Sequence, residues 1–236
     1  MIKIKSLASG SSGNCYWVTD GSTPILLEAG IRFHDIRQGI GFRVSELGGV
    51  LISHEHGDHC KAAKDIIKAG VDIYTSPGTI KALGLTGHRI HPVQVPNRFD
   101  VGTWVGKALK AQHDAVEPIN FLLWSRDTGE KLVYLTDTCY TRYTFPELNY
   151  IMVECNYSLD ILNKNVKTGR IQSLQKDRII KTHFGLENVK SFLAANDLSC
   201  VQEIWLLHLS DRNSSAELFK REIQELTGKI VYIAGQ

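Results

Sequence analysis

Four side chains of the kinds that bind metal ions lie within six consecutive residues. The sequence from His54 to His59 is His-Glu-His-Gly-Asp-His, and it directly follows the apolar residues 50–52. Imidazole nitrogens and carboxylate oxygens suit Zn²⁺, Mn²⁺ and Fe²⁺. A closed structural site would normally be built from thiolates, so this donor set favours an open, catalytic site. The sequence therefore predicts that His54, His56, Asp58 and His59 bind metal.

Further ligand candidates stand where predicted apolar strands reach their loops. These are His113, Asp137 and His208. Strand ends are where α/β architectures build their sites. Any one of the three, taken alone, is equally consistent with a capping aspartate or a hydrogen-bonded histidine. Together with the histidine-rich run, they favour a site that holds two metal ions.

The bulk composition is that of an ordinary globular protein. The chain has 236 residues, 43% of them hydrophobic and 22% charged, and a formal net charge of +2. This length permits one large domain or two small ones. The charge balance neither demands nor excludes a nucleic-acid partner. The N-terminal residues lack a signal-peptide pattern, and no apolar run reaches membrane-spanning length.

The cysteines are odd in number and lack paired spacing. They are Cys15, Cys60, Cys139, Cys155 and Cys200. Such scattered cysteines are typical of reduced thiols in an intracellular protein. We therefore expect a cytoplasmic protein that does not associate with membranes. The sequence carries no signal of the oligomeric state.

Hydrophobic periodicity predicts consecutive strands early in the chain and strands that alternate with helices later. Strands are predicted at 2–8, 14–19, 25–27, 48–53, 71–75, 104–111, 120–125, 131–136, 150–155, 203–207 and 229–233. Helices are predicted at 60–69, 186–195 and 214–226, with a short one after Gly30. This mixture favours the α/β class, with packed sheets and helices on their outer faces, an αββα sandwich.

The ligand candidates, taken in their order along the chain, resemble the ligand set of the metallo-β-lactamase fold. Shorter segments resemble the YycJ/WalJ branch of that superfamily, namely 6–14, 113–118, 135–138, 154–156 and 207–210. The broad resemblance implies a single domain over 1–236, with two mixed β-sheets flanked by helices. The narrower one implies metal-dependent 5′-to-3′ exonuclease activity on DNA.

The resemblance also implies seven ligands for two divalent ions, Zn²⁺ or Mn²⁺, with Fe²⁺ as an alternative. It assigns His54, His56 and His113 to the first ion, Asp58, His59 and His208 to the second, and Asp137 to a bridge between them. Two such ions about 3.5–4 Å apart make a bridging hydroxide available near neutral pH and stabilise the attacking and leaving oxygens. The site would carry net positive charge and attract a phosphodiester.

Catalytic roles follow from the same resemblance for Asp58, His183 and Glu154. His183 stands where related nucleases carry a histidine near the scissile phosphate. A protonated imidazole there could stabilise the developing charge or protonate the departing 3′-oxygen. A structural histidine ahead of the helix predicted at 186–195 is the alternative. Glu154 occupies the acidic position of a Glu-Ser-Asn-like motif.

Substrate contacts are predicted for Ser11, Ser12, Asn156, Lys176 and Arg178. The two serines lie in a Ser/Gly turn whose backbone N–H groups could meet a terminal phosphate, although a plain hairpin turn fits equally well. Lys176 and Arg178 belong to a basic stretch that could follow a nucleic-acid backbone. Charge runs also mark solvated faces, so this alternative stays open.

Two residues depart from the pattern of the family. Glu28 stands where an aspartate is usual. Its side chain is one methylene longer, which shifts the carboxylate that supports the ligand loops. Tyr157 stands where the branch commonly has histidine. The leading hypothesis is a phosphodiesterase that acts on nucleic acid. Two alternatives stay open. These are a metallohydrolase of thioesters or lactams, and a protein that senses nucleic-acid ends without cutting them.

Overall fold

The computed structural model describes residues 1–235, which divide into two compact units. The first unit comprises residues 1–110 and 115–130 together with Gly235. The second comprises residues 111–114 and 131–234. The single domain expected over 1–236 stays a prediction, and its last residue lies outside the described part.

The first unit contains a six-stranded sheet whose strands lie side by side in chain order. They are β1 (Lys3–Ala8), β2 (Cys15–Thr19), β3 (Pro24–Leu27), β4 (Gly49–Leu51), β5 (Ile73–Thr75) and β6 (Ile90–Pro92). The first three are antiparallel neighbours, and from β3 onward each neighbour is parallel. Parallel neighbours bring their carboxyl ends to one edge of the sheet. The loops that follow β3 and β4 therefore start side by side.

Helices of the first unit fill the crossovers between these strands. They are α1 (Phe33–Gly39), α2 (Gly57–Cys60), α3 (Ala63–Lys68) and α4 (Pro77–Leu83), with a 3-10 turn at Val44–Glu46. Ile36 and Ile66 bury their side chains in a core with Val50 and Ile52. The helix predicted over 60–69 is interrupted at Ala62, whose ψ of 5° leaves the helical range.

Three antiparallel strands complete the first unit. They are β7 (Arg98–Val101), β8 (Trp104–Lys110) and β9 (Ile119–Ser125). Asp20 joins this group to the loop after β2, because its Oδ2 accepts from the hydroxyls of Thr103 at 2.6 Å and Ser125 at 2.7 Å. The buried carboxylate thus ties two groups of strands together.

The second unit is built on four parallel strands, each in register with the next. They are β10 (Lys131–Leu135), β11 (Tyr150–Glu154), β12 (Glu203–Leu207) and β13 (Ile230–Ile233). Its helices are α5 (Leu159–Lys167), α6 (Ser173–Thr182), α7 (Leu186–Ala194) and α8 (Ala216–Thr227). β10 and β11 are almost wholly buried, as parallel strands covered on both faces are. Their carboxyl ends lead directly into Asp137 and Glu154.

Within residues 1–235 no helix combines the length and the apolar character that crossing a membrane requires.

Candidate metal centre

The histidine-rich run lies just beyond the carboxyl end of β4, as predicted. His54 and His59 are completely buried. The ring of His54 lies 4.6 Å from that of His56 and 4.2 Å from that of His59, measured between centroids. The hydroxyl of Ser53 lies 2.8 Å from Nδ1 of His54 and fixes that ring. The first unit therefore gathers three imidazoles at one strand end.

Glu28, which replaces an aspartate, supports the histidine-rich run through its carboxylate. Its buried carboxylate accepts from the backbone N–H of Ser53 at 3.2 and 3.3 Å. One of its oxygens lies 3.6 Å from Nδ1 of His59, whose Nε2 lies 3.5 Å from Asp58. Glu28 has a φ of 66°. The glutamate carboxylate therefore still reaches the ligand loop.

Asn14 is a supporting residue that the sequence analysis missed. Its backbone N–H donates to the carbonyl oxygen of Asp58 at 2.8 Å, and its side-chain amide nitrogen lies 3.3 Å from Nε2 of His59. Asn14 is fully buried, whereas Ser11 and Ser12 are exposed. The available signal was an asparagine that ends a Ser/Gly turn, since such residues bond neighbouring backbone.

The second unit brings its three predicted ligands together. Nε2 of His113 lies 3.2 Å from Asp137, and Nδ1 of His208 lies 3.6 Å from the other oxygen of Asp137. Nδ1 of His113 lies 2.8 Å from the carbonyl oxygen of Thr182, which can only accept, so that nitrogen carries the hydrogen. Burial lowers the pKa of His113 and favours its neutral form. Nε2 then carries a lone pair that can bind a metal ion.

Glu154 and His183 stand beside these ligands. Oε1 of Glu154 lies 2.6 Å from Nδ1 of His183 and 3.1 Å from Nδ1 of His208. Its Oε2 accepts from the backbone N–H of Phe184 at 3.1 Å and of Thr138 at 3.3 Å. Burial opposes ionisation of Glu154, but the charge of His183 and the hydrogen bonds with His183 and His208 lower the pKa of the carboxyl. Burial likewise opposes protonation of His183, yet the charge of Glu154 raises its pKa.

Strained backbone marks several of these positions. Asp137, His208 and Glu28 have φ angles of 40°, 52° and 66°, a region that residues other than glycine seldom occupy. Each conformation costs on the order of 1–3 kcal/mol, and such strain concentrates at functional sites. Hydrogen bonds at these strand ends hold the three residues in place.

The residues predicted to bind substrate have protein partners of their own in several cases. Asn156 donates to the carbonyl oxygen of His208 at 2.9 Å, so it fixes the backbone of that predicted ligand. Lys176 donates to Asn163 at 2.6 Å. Arg178 donates through two nitrogens to Asp114. Their contact with substrate stays a prediction, as does that of the exposed Ser11 and Ser12.

Tyr157, which replaces the histidine common in the branch, is a buried packing residue. Its ring leaves no room for a side chain at Gly185, where a Cβ would lie 2.7 Å from the ring. Burial raises the pKa of its phenol to about 12. The residue therefore acts as neutral support for the segment that carries His183.

The donor set fits a divalent ion. Asp137, Glu154, His183 and His208 each offer a nitrogen or oxygen atom, and these four atoms lie within 4.8 Å of one another. Imidazole and carboxylate together suit zinc, manganese or iron. The first unit supplies His54, His56, Asp58 and His59 as donors of the same kinds.

A family model described as the beta-lactamase superfamily domain matches residues 24–162. The chain belongs to this family. The exodeoxyribonuclease YycJ of Bacillus anthracis is 26% identical over 93% of this chain and 87% of its own length. The exodeoxyribonuclease WalJ of Streptococcus pneumoniae serotype 2 (strain D39 / NCTC 7466) is 26% identical over 92% of this chain and 84% of its own.

Among solved structures, the metallo-β-lactamase fold protein YhfI from Bacillus subtilis has a TM-score of 0.77 to this chain at 17% identity. The match covers 100% of this chain and 96% of the other. The predicted fold class, two mixed β-sheets flanked by helices, is confirmed, and so is the resemblance to the YycJ/WalJ branch. The chain is a hydrolase of this superfamily, and its His/Asp clusters indicate divalent-metal binding.

Proposed function

We propose that the protein is a metal-dependent phosphodiesterase that degrades DNA from its 5′ end. Sequence relatives named exodeoxyribonucleases support DNA as the substrate. The residues that would hold two divalent ions are the seven predicted ligands: His54, His56, His113, Asp58, His59, His208 and Asp137. Bound at these residues, the ions would activate water and neutralise charge on the phosphate.

The Glu154–His183 hydrogen bond carries the proposal. A phosphodiester expels an alkoxide oxygen, which needs a proton to leave, whereas the thiolate expelled from a thioester leaves without one. Glu154 holds Nδ1 of His183, which directs Nε2 of the same ring away from the carboxylate. In the proposed mechanism this Nε2 gives its proton to the departing 3′-oxygen.

Orientation of the reacting groups falls to the residues around the ligands. The carbonyl oxygen of Thr182 sets the ring of His113, and Asn156 sets the backbone of His208. Asn14 and Glu28 do the same for the run that contains Asp58 and His59. Such preorganised positions reduce the reorganisation that the reaction would otherwise require.

The test measures the degradation of DNA oligonucleotides that carry a label at one end or the other. Mn²⁺ or Zn²⁺ is added to the purified protein. We expect mononucleotides from the wild type, and loss of turnover in Asp137→Ala and His183→Ala. His88→Ala is the matched control, because His88 is exposed in the first unit. Intact DNA retained by the protein would support the end sensor, and hydrolysis of a chromogenic lactam or a thioester without DNA cleavage would support the other metallohydrolase.

A cytoplasmic location is part of the proposal. All five cysteines are free thiols, which suits a reducing compartment. Fractionation of cells that produce the full chain tests this, with recovery in the cytosolic fraction as the expected result.

A further inference from the structure

The second unit contains a cavity of about 390 Å³ that the proposed chemistry does not use. Its lining residues are Asn165, Arg170, Asp211 and Arg212. Two of these four are arginines, contributed by the turn after α5 and by the loop after β12. The cavity is therefore lined by two arginines, both of which are exposed.

A single buried residue, Asn165, fixes both arginine-bearing segments. Its side-chain nitrogen donates to the carbonyl oxygen of Arg212 at 2.8 Å. Its backbone carbonyl oxygen accepts from the N–H of Arg170 at 2.9 Å. Gly169, with a φ of 73°, makes the tight turn that brings Arg170 back to this carbonyl. The two arginines are thus presented from a preorganised frame.

Arg170 and Arg212 differ from Lys176 and Arg178 in their protein contacts. Lys176 and Arg178 have protein partners, as described above. Arg170 and Arg212, in contrast, form no ion pair with any carboxylate in the described part of the chain. Paired guanidinium groups match the oxygens of a phosphate, which they can bind in a bidentate manner. Asp211 adds one negative charge, so the lining keeps a net positive charge.

The arginine-bearing loop is also the loop of a predicted metal ligand. Arg212 follows His208 by four residues. The N–H of Ser210 donates to the carbonyl oxygen of Asn156 at 3.0 Å, and the carbonyl oxygen of Asn213 accepts from Ser158 at 3.1 Å. These bonds attach the loop to the segment that follows Glu154. The cavity and the proposed reacting groups therefore share one frame.

We infer that Arg170 and Arg212 form a subsite for a phosphate group of the nucleic-acid strand, an inference that rests on the proposed function. The subsite adds to the strand contacts that the sequence predicts for Lys176 and Arg178. It binds a phosphate other than the one that is cleaved. Asp211 opposes this binding and limits its strength.

Fluorescence anisotropy of labelled oligonucleotides tests the subsite in the metal-loaded His183→Ala chain, which keeps the seven predicted ligands and should bind without cleaving. We expect Arg170→Ala and Arg212→Ala each to weaken binding about 5- to 20-fold and to flatten the dependence of log K on log salt by about 0.7–0.9. Arg221→Ala is the matched control, since Arg221 is an exposed arginine on α8. Asp211→Asn should bind about threefold more tightly.

Oligonucleotides with a 5′-phosphate or a 5′-hydroxyl distinguish the two sources of phosphate. A loss confined to the 5′-phosphorylated strand identifies the terminal group, and an equal loss on both identifies an internal phosphodiester. Initial rates in the chain with His183 intact give a second measurement, in which the arginine variants should raise KM more than they lower kcat.

Arginine variants that bind like Arg221→Ala, or an Asp211→Asn variant whose binding is unchanged or weaker, would overturn the inference. If the wild type neither binds nor cleaves nucleic acid, the proposed function itself fails. If the wild type cleaves while the arginine variants match the control, only the subsite fails. The two failures are therefore distinguishable.

Discussion

Glu154 and His183 are joined by a hydrogen bond of 2.6 Å between Oε1 and Nδ1. The acceptor is a fully buried carboxylate on the last residue of β11, and the imidazole follows α6. The bond joins two elements whose bonded residues lie 29 positions apart along the chain. It makes Glu154 a positioning residue for His183.

Glu154→Gln tests this role. A neutral amide would place an N–H₂ group against the backbone donors of Phe184 and Thr138, or against His183, so the ring would lose its orientation. We expect kcat to fall by about 10²-fold with little change in KM, which is the size of a general-acid contribution. Glu217→Gln, at an exposed position of α8, is the control. An equal loss of kcat in both variants, or a change confined to KM, contradicts the role.

Gly30 is predicted to tolerate no side chain, because it lies against the metal-binding run. A Cβ at this position would lie 1.7 Å from the carbonyl oxygen of Asp58 and 2.8 Å from the backbone nitrogen of Asn14. Gly30→Ala should destabilise the chain by roughly 2 kcal/mol or more and reduce metal content. Gly57 has open space around its Cα, so Gly57→Ala should leave the melting temperature unchanged or raise it. Equal melting temperatures for the two variants contradict this prediction.

Asp20 should stabilise the first unit in a pH-dependent manner. Burial opposes its ionisation, but hydrogen bonds from Thr103, Ser125 and the backbone lower the pKa of Asp20. A carboxyl whose pKa is lower in the folded state contributes stability above its unfolded pKa, near 3.9, and loses it as the pH falls through the folded value. Asp20→Asn should cost about 1–3 kcal/mol at pH 7.

Urea unfolding at several pH values checks the Asp20 prediction. The difference between wild type and Asp20→Asn should be constant above about pH 5 and shrink toward pH 3. Asp127→Asn, at an exposed position in the same unit, should match the wild type throughout. A difference that grows in acid would show that the charge of Asp20 is not what stabilises the fold.

Arg178 is expected to act through Asp114 as well as through substrate. Oδ1 of Asp114 lies 3.3 Å from Nε2 of His113, and Arg178 binds the other oxygen of this carboxylate. Arg178→Ala should therefore lower the metal content and weaken DNA binding, whereas Lys176→Ala should weaken DNA binding alone. Asp114→Asn combined with Arg178→Ala should restore metal content, as measured by elemental analysis. Equal metal content in the single variants contradicts the coupling.

Much of the fold could be predicted from the sequence, because its strands are strongly apolar and regular. The predicted strands at 104–111, 120–125 and 150–155 match β8, β9 and β11 within one residue at each end. The helices predicted at 186–195 and 214–226 correspond to α7 and α8. These segments combine clear periodicity with burial on one face.

Elements without such periodicity were not predicted. The short strands β6 and β7 have exposed or half-buried residues and depend on their neighbours for pairing. Helix α4 carries clear end signals, namely capping by Ser76, Pro77 at its first position and Gly84 at its end, but it has only one buried residue. Helices α5 and α6 lie in the basic stretch, where the many charged residues mask the apolar helical spacing.

In the candidate site, too, some features could be predicted from the sequence and others could not. Ligand types at strand ends are visible in a sequence, so each unit places its predicted ligands at its strand ends. The support from Asn14, the ion pair between Asp114 and Arg178, and the hydrogen bond between Asn165 and Arg212 join residues that are distant along the chain. Their partners become apparent only when the chain has folded.

Metal stoichiometry alongside turnover tests the central claim most directly. Elemental analysis of the reconstituted wild type should give about two divalent ions per chain, together with release of mononucleotides from DNA. His113→Ala, Asp137→Ala and His208→Ala should each lose metal and turnover, while His88→Ala keeps both. A wild type that holds no divalent ion, or ligand variants that keep full metal content and full activity, would contradict the account.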